Sequence, residues 1–122
     1  MSALTRSEKL NICARLFFED NKDQYPDFRS AQVEFMSIGP SDSFIDFAIK
    51  GALKAELGEA IFINPTSGHI IAHRISDGWT YPKTEMSEEE GAEIMESTLN
   101  LASENLDWNV YQIFESIGWK TA

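Results

Sequence analysis

The sequence predicts an α+β domain. It should hold an N-terminal helix, an antiparallel sheet of three to four strands, and a C-terminal helix or helices packed on one face of that sheet. Three observations carry this. Thr5 with Glu8, and Ser87 with Glu90, each match a capping box ahead of an apolar stripe at helical spacing. Two apolar runs, 60–64 and 69–75, flank the turn Pro65-Thr66-Ser67-Gly68. A chain of 122 residues with 43% hydrophobic content has the size of one domain, spanning 1–122, and the apolar mass for one core.

The first helix should run from Thr5 to about Asn21, because Leu10, Cys13, Ala14 and Phe17 share one face with Ile12 and Leu16 beside it. Cys13 falls inside that stripe, where a buried inert thiol is the expected state. Residues 32–38 read as a strand and Gly39-Pro40-Ser41-Asp42 as a turn. For 44–50, the alternation of Ile45, Phe47 and Ile49 with Asp46, Ala48 and Lys50 favours a half-buried strand. The same stretch also offers Ile45, Ile49, Leu53 and Leu57 at helical spacing, with Ser41 or Ser43 as a cap and Gly58 as a stop.

The hairpin 60–75 follows from its turn. Proline fixes φ at an early turn position, and Gly68 supplies positive φ where the chain re-enters the ladder. Residues 77–84, with Gly78, Trp79, Tyr81 and Pro82, read as a loop. The strongest helix starts at Ser87. Glu88 and Glu89 suit its positive N-terminus, Met95, Leu99, Ala102 and Leu106 form the core-facing stripe, and Glu89, Glu93 and Glu96 face outward. In the tail, Val110, Ile113, Phe114 and Ile117 fit a helix closed by Gly118 slightly better than an edge strand.

Charge separates the function classes. The net charge is −10, and residues 76–122 hold ten acids against only Lys83 and Lys120, so most of it lies there. Such a balance repels phosphate backbones and anionic membrane surfaces, which argues against direct nucleic-acid or membrane binding. Its natural complement is a basic protein, although acidity also serves solubility. No apolar run approaches the ~20 residues of a membrane span, and the N-terminus lacks the apolar core of a secretory signal. One cysteine excludes an internal disulfide framework, so the expected location is the cytoplasm.

Motifs of catalysis are missing. There is no Gly-x-Ser-x-Gly elbow, phosphate loop, dinucleotide fingerprint, His-Glu-x-x-His or Cys-x-x-Cys, so neither enzyme activity nor a cofactor is expected. His69 and His73, four apart on one strand face, could reach a common metal, but no zinc or iron spacing is met and packed imidazoles are the simpler reading. The interaction candidates are the aromatic pair Trp79 and Tyr81 with the acids Glu85, Glu88, Glu89, Glu93 and Glu96. Aromatic anchors supply affinity at interfaces, and a charged rim speeds association.

The stretch Gly58-Glu-Ala-Ile-Phe-Ile-Asn-Pro-Thr-Ser-Gly-His-Ile-Ile, about a tenth of the chain, resembles the strand–turn–strand signature of several small bacterial immunity-protein families. These are cytoplasmic antidotes to polymorphic or contact-delivered toxins. A similar hairpin occurs in PepSY-type inhibitory domains. The resemblance implies tight binding that occludes a toxin, commonly a basic nuclease. An inhibitor of a basic partner, acting through the acidic C-terminal helix and the Trp79/Tyr81 loop, is therefore the favoured expectation, and two alternatives stand behind it. One is an acidic nucleic-acid mimic, which needs carboxylates spaced like phosphates across a surface. The other is a small-molecule-binding α+β module, which needs a large apolar cavity between helix and sheet where a packed core would count against it.

Overall fold

The structure is a computed structural model that describes residues 4–122. The first helix, α1, spans Arg6–Asp20 with Thr5 and Glu8 closing the capping box and Asn21 at its C-terminus. After a single 3-10 turn at Lys22–Gln24 come α2 (Phe28–Ile38) and α3 (Asp42–Ala52). The strands are β1 (Glu59–Ile63), β2 (Ile70–Arg74), β3 (Thr80–Pro82) and β4 (Lys120–Thr121), in the order β3-β2-β1-β4 with every neighbour antiparallel. Two further helices, α4 (Glu88–Glu104) and α5 (Val110–Ser116), lie between β3 and β4 in sequence. Among the described residues no helix is long and apolar enough to cross a membrane.

Two predicted strands are helices. Residues 32–38 form the second half of α2. The Asp27 carboxylate accepts from Ser30 N at 2.8 Å to start it, and Gly39 in the left-handed conformation (φ 67°) ends it. Its buried residues, Ala31 and Phe35, are one turn apart, whereas Val33 and Ile38 face outward. Residues 44–50 lie within α3. Ser41 caps Phe44 N at 3.2 Å, and Ile45 and Ile49 are buried four residues apart. Phe47, which completed the alternating pattern, is 79% exposed. Burial thus follows the helical period, and capping outweighs β propensity. Gly51 falls at the end of α3, where its cost to the helix is small.

The hairpin is where the turn chemistry placed it. Phe62 faces Ile71 and Ile61 faces Ala72 in the β1–β2 register. The Asn64 side chain accepts from the backbone N–H of Thr66 and Ser67, an Asx-type turn, and Gly68 N donates to Asn64 O at 2.9 Å. Beyond it, β3 and β4 are additions that the reading of 77–84 as loop and 108–119 as tail did not contain.

Alternation along β1 and β2 divides the core. Ile61, Ile63, Ile70 and Ala72 pack with Ile12, Cys13, Ala14, Phe35, Ile45 and Ile49 of α1–α3. Ala60, Phe62 and Ile71 turn the other way, onto Phe114 and Trp119. Phe62 and Phe114 stack at 4.3 Å between ring centroids, and Trp119 meets Phe114 edge-on at 5.7 Å. Helices therefore cover both faces of the sheet, the C-terminal ones on one and the N-terminal ones on the other. The continuous apolar run Ala60-Ile-Phe-Ile is the mark of a strand buried on both sides. Cys13 is buried, and burial raises its thiol pKa.

Gly68 joins the turn to α1. Its φ is +74°, and a Cβ there would lie 2.3 Å from the carbonyl oxygen of Asn11. Gly68→Ala should therefore destabilise the protein by about 2–4 kcal/mol through left-handed strain plus a backbone clash. Urea unfolding measures this, and a loss below about 0.5 kcal/mol, the scale of a neutral surface change, would contradict the packing.

Candidate functional site: an apolar groove beneath the C-terminal helix

The second capping box forms as its residues require, with Ser87 and Glu90 exchanging both hydrogen bonds at the start of α4. The stripe that follows does not enter a core. No residue of α4 is buried, Met95 and Leu99 are 64% and 63% exposed, and Leu106 lies beyond the helix and open to solvent. The expectation that this stripe is core-facing is thereby corrected. Phe114, Ile113 and Trp119, contributed by α5 and its flank, occupy the sheet surface instead.

Between α4 and the sheet lies a groove of about 410 Å³. Its floor is Ile71 and His73 of β2 with Thr80 and Pro82 of β3, and Val110, Ile113 and Phe114 form one wall. The α4 wall is Gly91, Ile94, Met95, Thr98, Leu99 and Ala102, a stripe at three- and four-residue spacing. Gly91 is informative. A glycine inside a helix costs about 1 kcal/mol relative to alanine. A Cβ at this position would meet no atom within 4 Å. No steric demand requires glycine here, and its missing side chain widens the groove.

A polar network, buried at His69 and Thr84 and open to solvent at Glu90, fixes the N-terminal end of α4. His69, 3% exposed, places Nδ1 2.9 Å from Thr84 Oγ1 and Nε2 3.0 Å from Glu90 Oε2. Thr84 Oγ1 also accepts from Ile70 N at 3.1 Å. One proton arrangement satisfies every member: the Thr84 hydroxyl donates to Nδ1, and Nε2–H donates to the Glu90 carboxylate. Burial lowers the His69 pKa, and the nearby Arg15 guanidinium lowers it further against the pull of Glu90. Glu90 is opposed by burial, yet hydrogen bonds from Ser87 and the proximity of His69 leave its pKa below the usual value. Arg15 is itself buried, donates to Ser67 O at 2.9 Å and lies 3.7 Å above the Phe28 ring. Hydroxyl, imidazole and carboxylate are in the order of a nucleophile relay. The Thr84 oxygen, however, is buried and already carries two hydrogen bonds, so the network reads as a strut between β2 and α4.

The sequence-predicted interaction residues are not brought together. Trp79 is 58% exposed at the β2–β3 turn, where its backbone N–H donates to Asp77 at 2.9 Å. Tyr81 is half-buried against the N-terminal core and donates its hydroxyl to Glu59 Oε2 at 2.5 Å. Glu85 pairs with Lys22, and its backbone N–H donates to Glu19. Glu88, Glu89, Glu93 and Glu96 are exposed on α4, and none forms an ion pair among the described residues. His69 and His73 lie on the same side of the sheet but serve different partners, and no group of three or more His, Cys, Asp or Glu is placed to hold a metal among the described residues. Sequence reasoning missed the groove and the His69 network. Gly91 within a capped helix was the legible signal for the first. Nothing in sequence links His69 to Glu90, which is 21 residues away.

Two outcomes check the strut. Thr84→Val should cost about 1–3 kcal/mol, because Ile70 N–H and His69 both lose their partner. The His69 effect is pH-dependent. Its folded pKa lies below the unfolded value of about 6.5, so the unfolded chain takes up the proton first as pH falls. Stability from this group is complete above that pH and declines as pH drops below it. Urea unfolding at neutral pH and at about pH 5.5 should show the decline, and His69→Gln should reduce it. An identical pH dependence in both proteins would remove His69 as its source. Comparison of the chain with models of known protein families, with curated proteins and with solved structures gives no match.

Proposed function

We propose that this protein is a binding module that takes an apolar small molecule into the groove between α4, α5 and the β2–β3 floor. The observation that carries the proposal is a helix with an apolar stripe and no buried residue, standing over a groove of about 410 Å³. Ligand sites start at about 300 Å³ and are mostly apolar with few polar groups. Exposed apolar surface of this kind recovers about 25 cal/mol per Å² when covered. A cavity between helix and sheet is also the feature that separates such a module from a packed inhibitor domain. Nile red, a neutral dye whose emission rises in apolar surroundings, should bind saturably with one site and raise the melting temperature. Gly91→Trp should weaken binding at least about tenfold by filling the space that the missing Cβ leaves, a loss of about 1.4 kcal/mol. Equal binding by this variant, or no saturable binding by the native protein, would reject the groove as the site.

A second reading rests on the outer face of α4. Its unpaired acids Glu89, Glu93 and Glu96, with Glu88 in the first turn of the helix, suit a cytoplasmic inhibitor or immunity protein that meets a basic partner such as a toxin nuclease. A nucleic-acid mimic is less favoured, because these acids gather on one helix. Replacing Glu89, Glu93 and Glu96 by Lys should slow association with a basic partner recovered from the native host at low salt, and should flatten its salt dependence. An unchanged association rate would dismiss this face.

A further inference from the structure

If the groove is the binding site, as proposed above, its polar atoms select the head group of the ligand. The groove-lining residues with polar side chains are His73, Thr80, Tyr81, Ser87 and Thr98, of which Tyr81 turns its ring to the N-terminal core on the opposite face of the sheet. Four of them are already engaged. Ser87 belongs to the capping box, Thr98 donates to Met95 O at 3.0 Å, Tyr81 donates to Glu59, and Thr80 lies 2.7 Å from His73 Nδ1. The Thr80 hydroxyl has one other protein acceptor, Gly78 O at 3.5 Å, the limit of a hydrogen bond, so His73 Nδ1 at 2.7 Å is its nearer partner. With Thr80 as the donor to Nδ1, the His73 proton lies on Nε2, which has no protein partner among the described residues. The groove therefore offers one free side-chain donor on an otherwise apolar surface.

We infer that the ligand is a neutral amphiphile, with an apolar body lying along α4 and a hydrogen-bond-accepting head, such as a carbonyl, held by His73 Nε2–H. An anionic head would meet a protein of net charge −10, with six exposed acids on the helix that forms the groove wall. A cationic head gains from those acids but has no lone pair for the His73 donor. Burial also lowers the His73 pKa, against the pull of Asp77, which keeps the imidazole a neutral donor.

The test is displacement of Nile red from the full chain by three ligands with apolar tails of similar length: decyl methyl ketone, decanoate and decyltrimethylammonium. The ketone should displace the dye at about tenfold lower concentration than either charged ligand, the scale of one hydrogen bond formed out of water. With the Nile red affinity measured afresh for each variant, His73→Phe should lose the ketone preference over the two charged ligands, and His73→Gln, which retains an N–H donor, should recover part of it. Equal displacement by all three ligands, or a ketone preference that survives His73→Phe, would overturn the inference while leaving the groove as a binding site. Absence of Nile red binding to the native protein would overturn both.

Discussion

Burial of β1 on both of its faces is the constraint on which the structure depends. Ile61 and Ile63 look into the core built by α1–α3, while Ala60 and Phe62 look into the core built by Phe114 and Trp119. A strand flanked by two cores needs cover on both sides, and the N-terminal and C-terminal helices divide that task. Fully burying side chains such as Phe62 and Ile63 contributes about 1.5–3 kcal/mol each. The β1–β2 register fixes which residue meets which core, because a slip of one residue would exchange the two faces.

The two cores are not equally filled. On the N-terminal side, three helices close over the sheet, and the Gly68 turn approaches the α1 backbone so closely that no side chain fits. On the C-terminal side, the short helix α5 covers β1 with Phe114. The longer α4 is anchored at its first turn by His69 and Glu90, and its remaining length stands beside the groove. The strut thus separates two jobs within one helix. Its N-terminal end is structural, and its apolar stripe is left uncovered.

Local chemistry was legible where one residue satisfies a neighbour's backbone. Thr5–Glu8 and Ser87–Glu90 announced both capped helices, and Asn64 to Gly68 announced the hairpin. The same signal is present at Asp27 and Ser41, and at Ser41 the alternation of Ile45, Phe47 and Ile49 points the other way, to a strand. Short apolar runs satisfy both periods. The deciding information, that Phe47 faces solvent while Ile45 and Ile49 do not, belongs to the packing of α3 on α1.

The sequence by itself determined the α+β class, the capped starts of α1 and α4, the hairpin and the charge asymmetry, because each depends on residues within one turn of each other or on composition alone. The tertiary structure decided the rest. It placed helices on both faces of the sheet, paired the two-residue β4 with β1, joined His69 to Glu90, and left Met95 and Leu99 uncovered. An amphipathic stripe states only that a surface is apolar. Whether that surface is buried depends on which element reaches the sheet first, and here Phe114 and Trp119 occupy it ahead of α4.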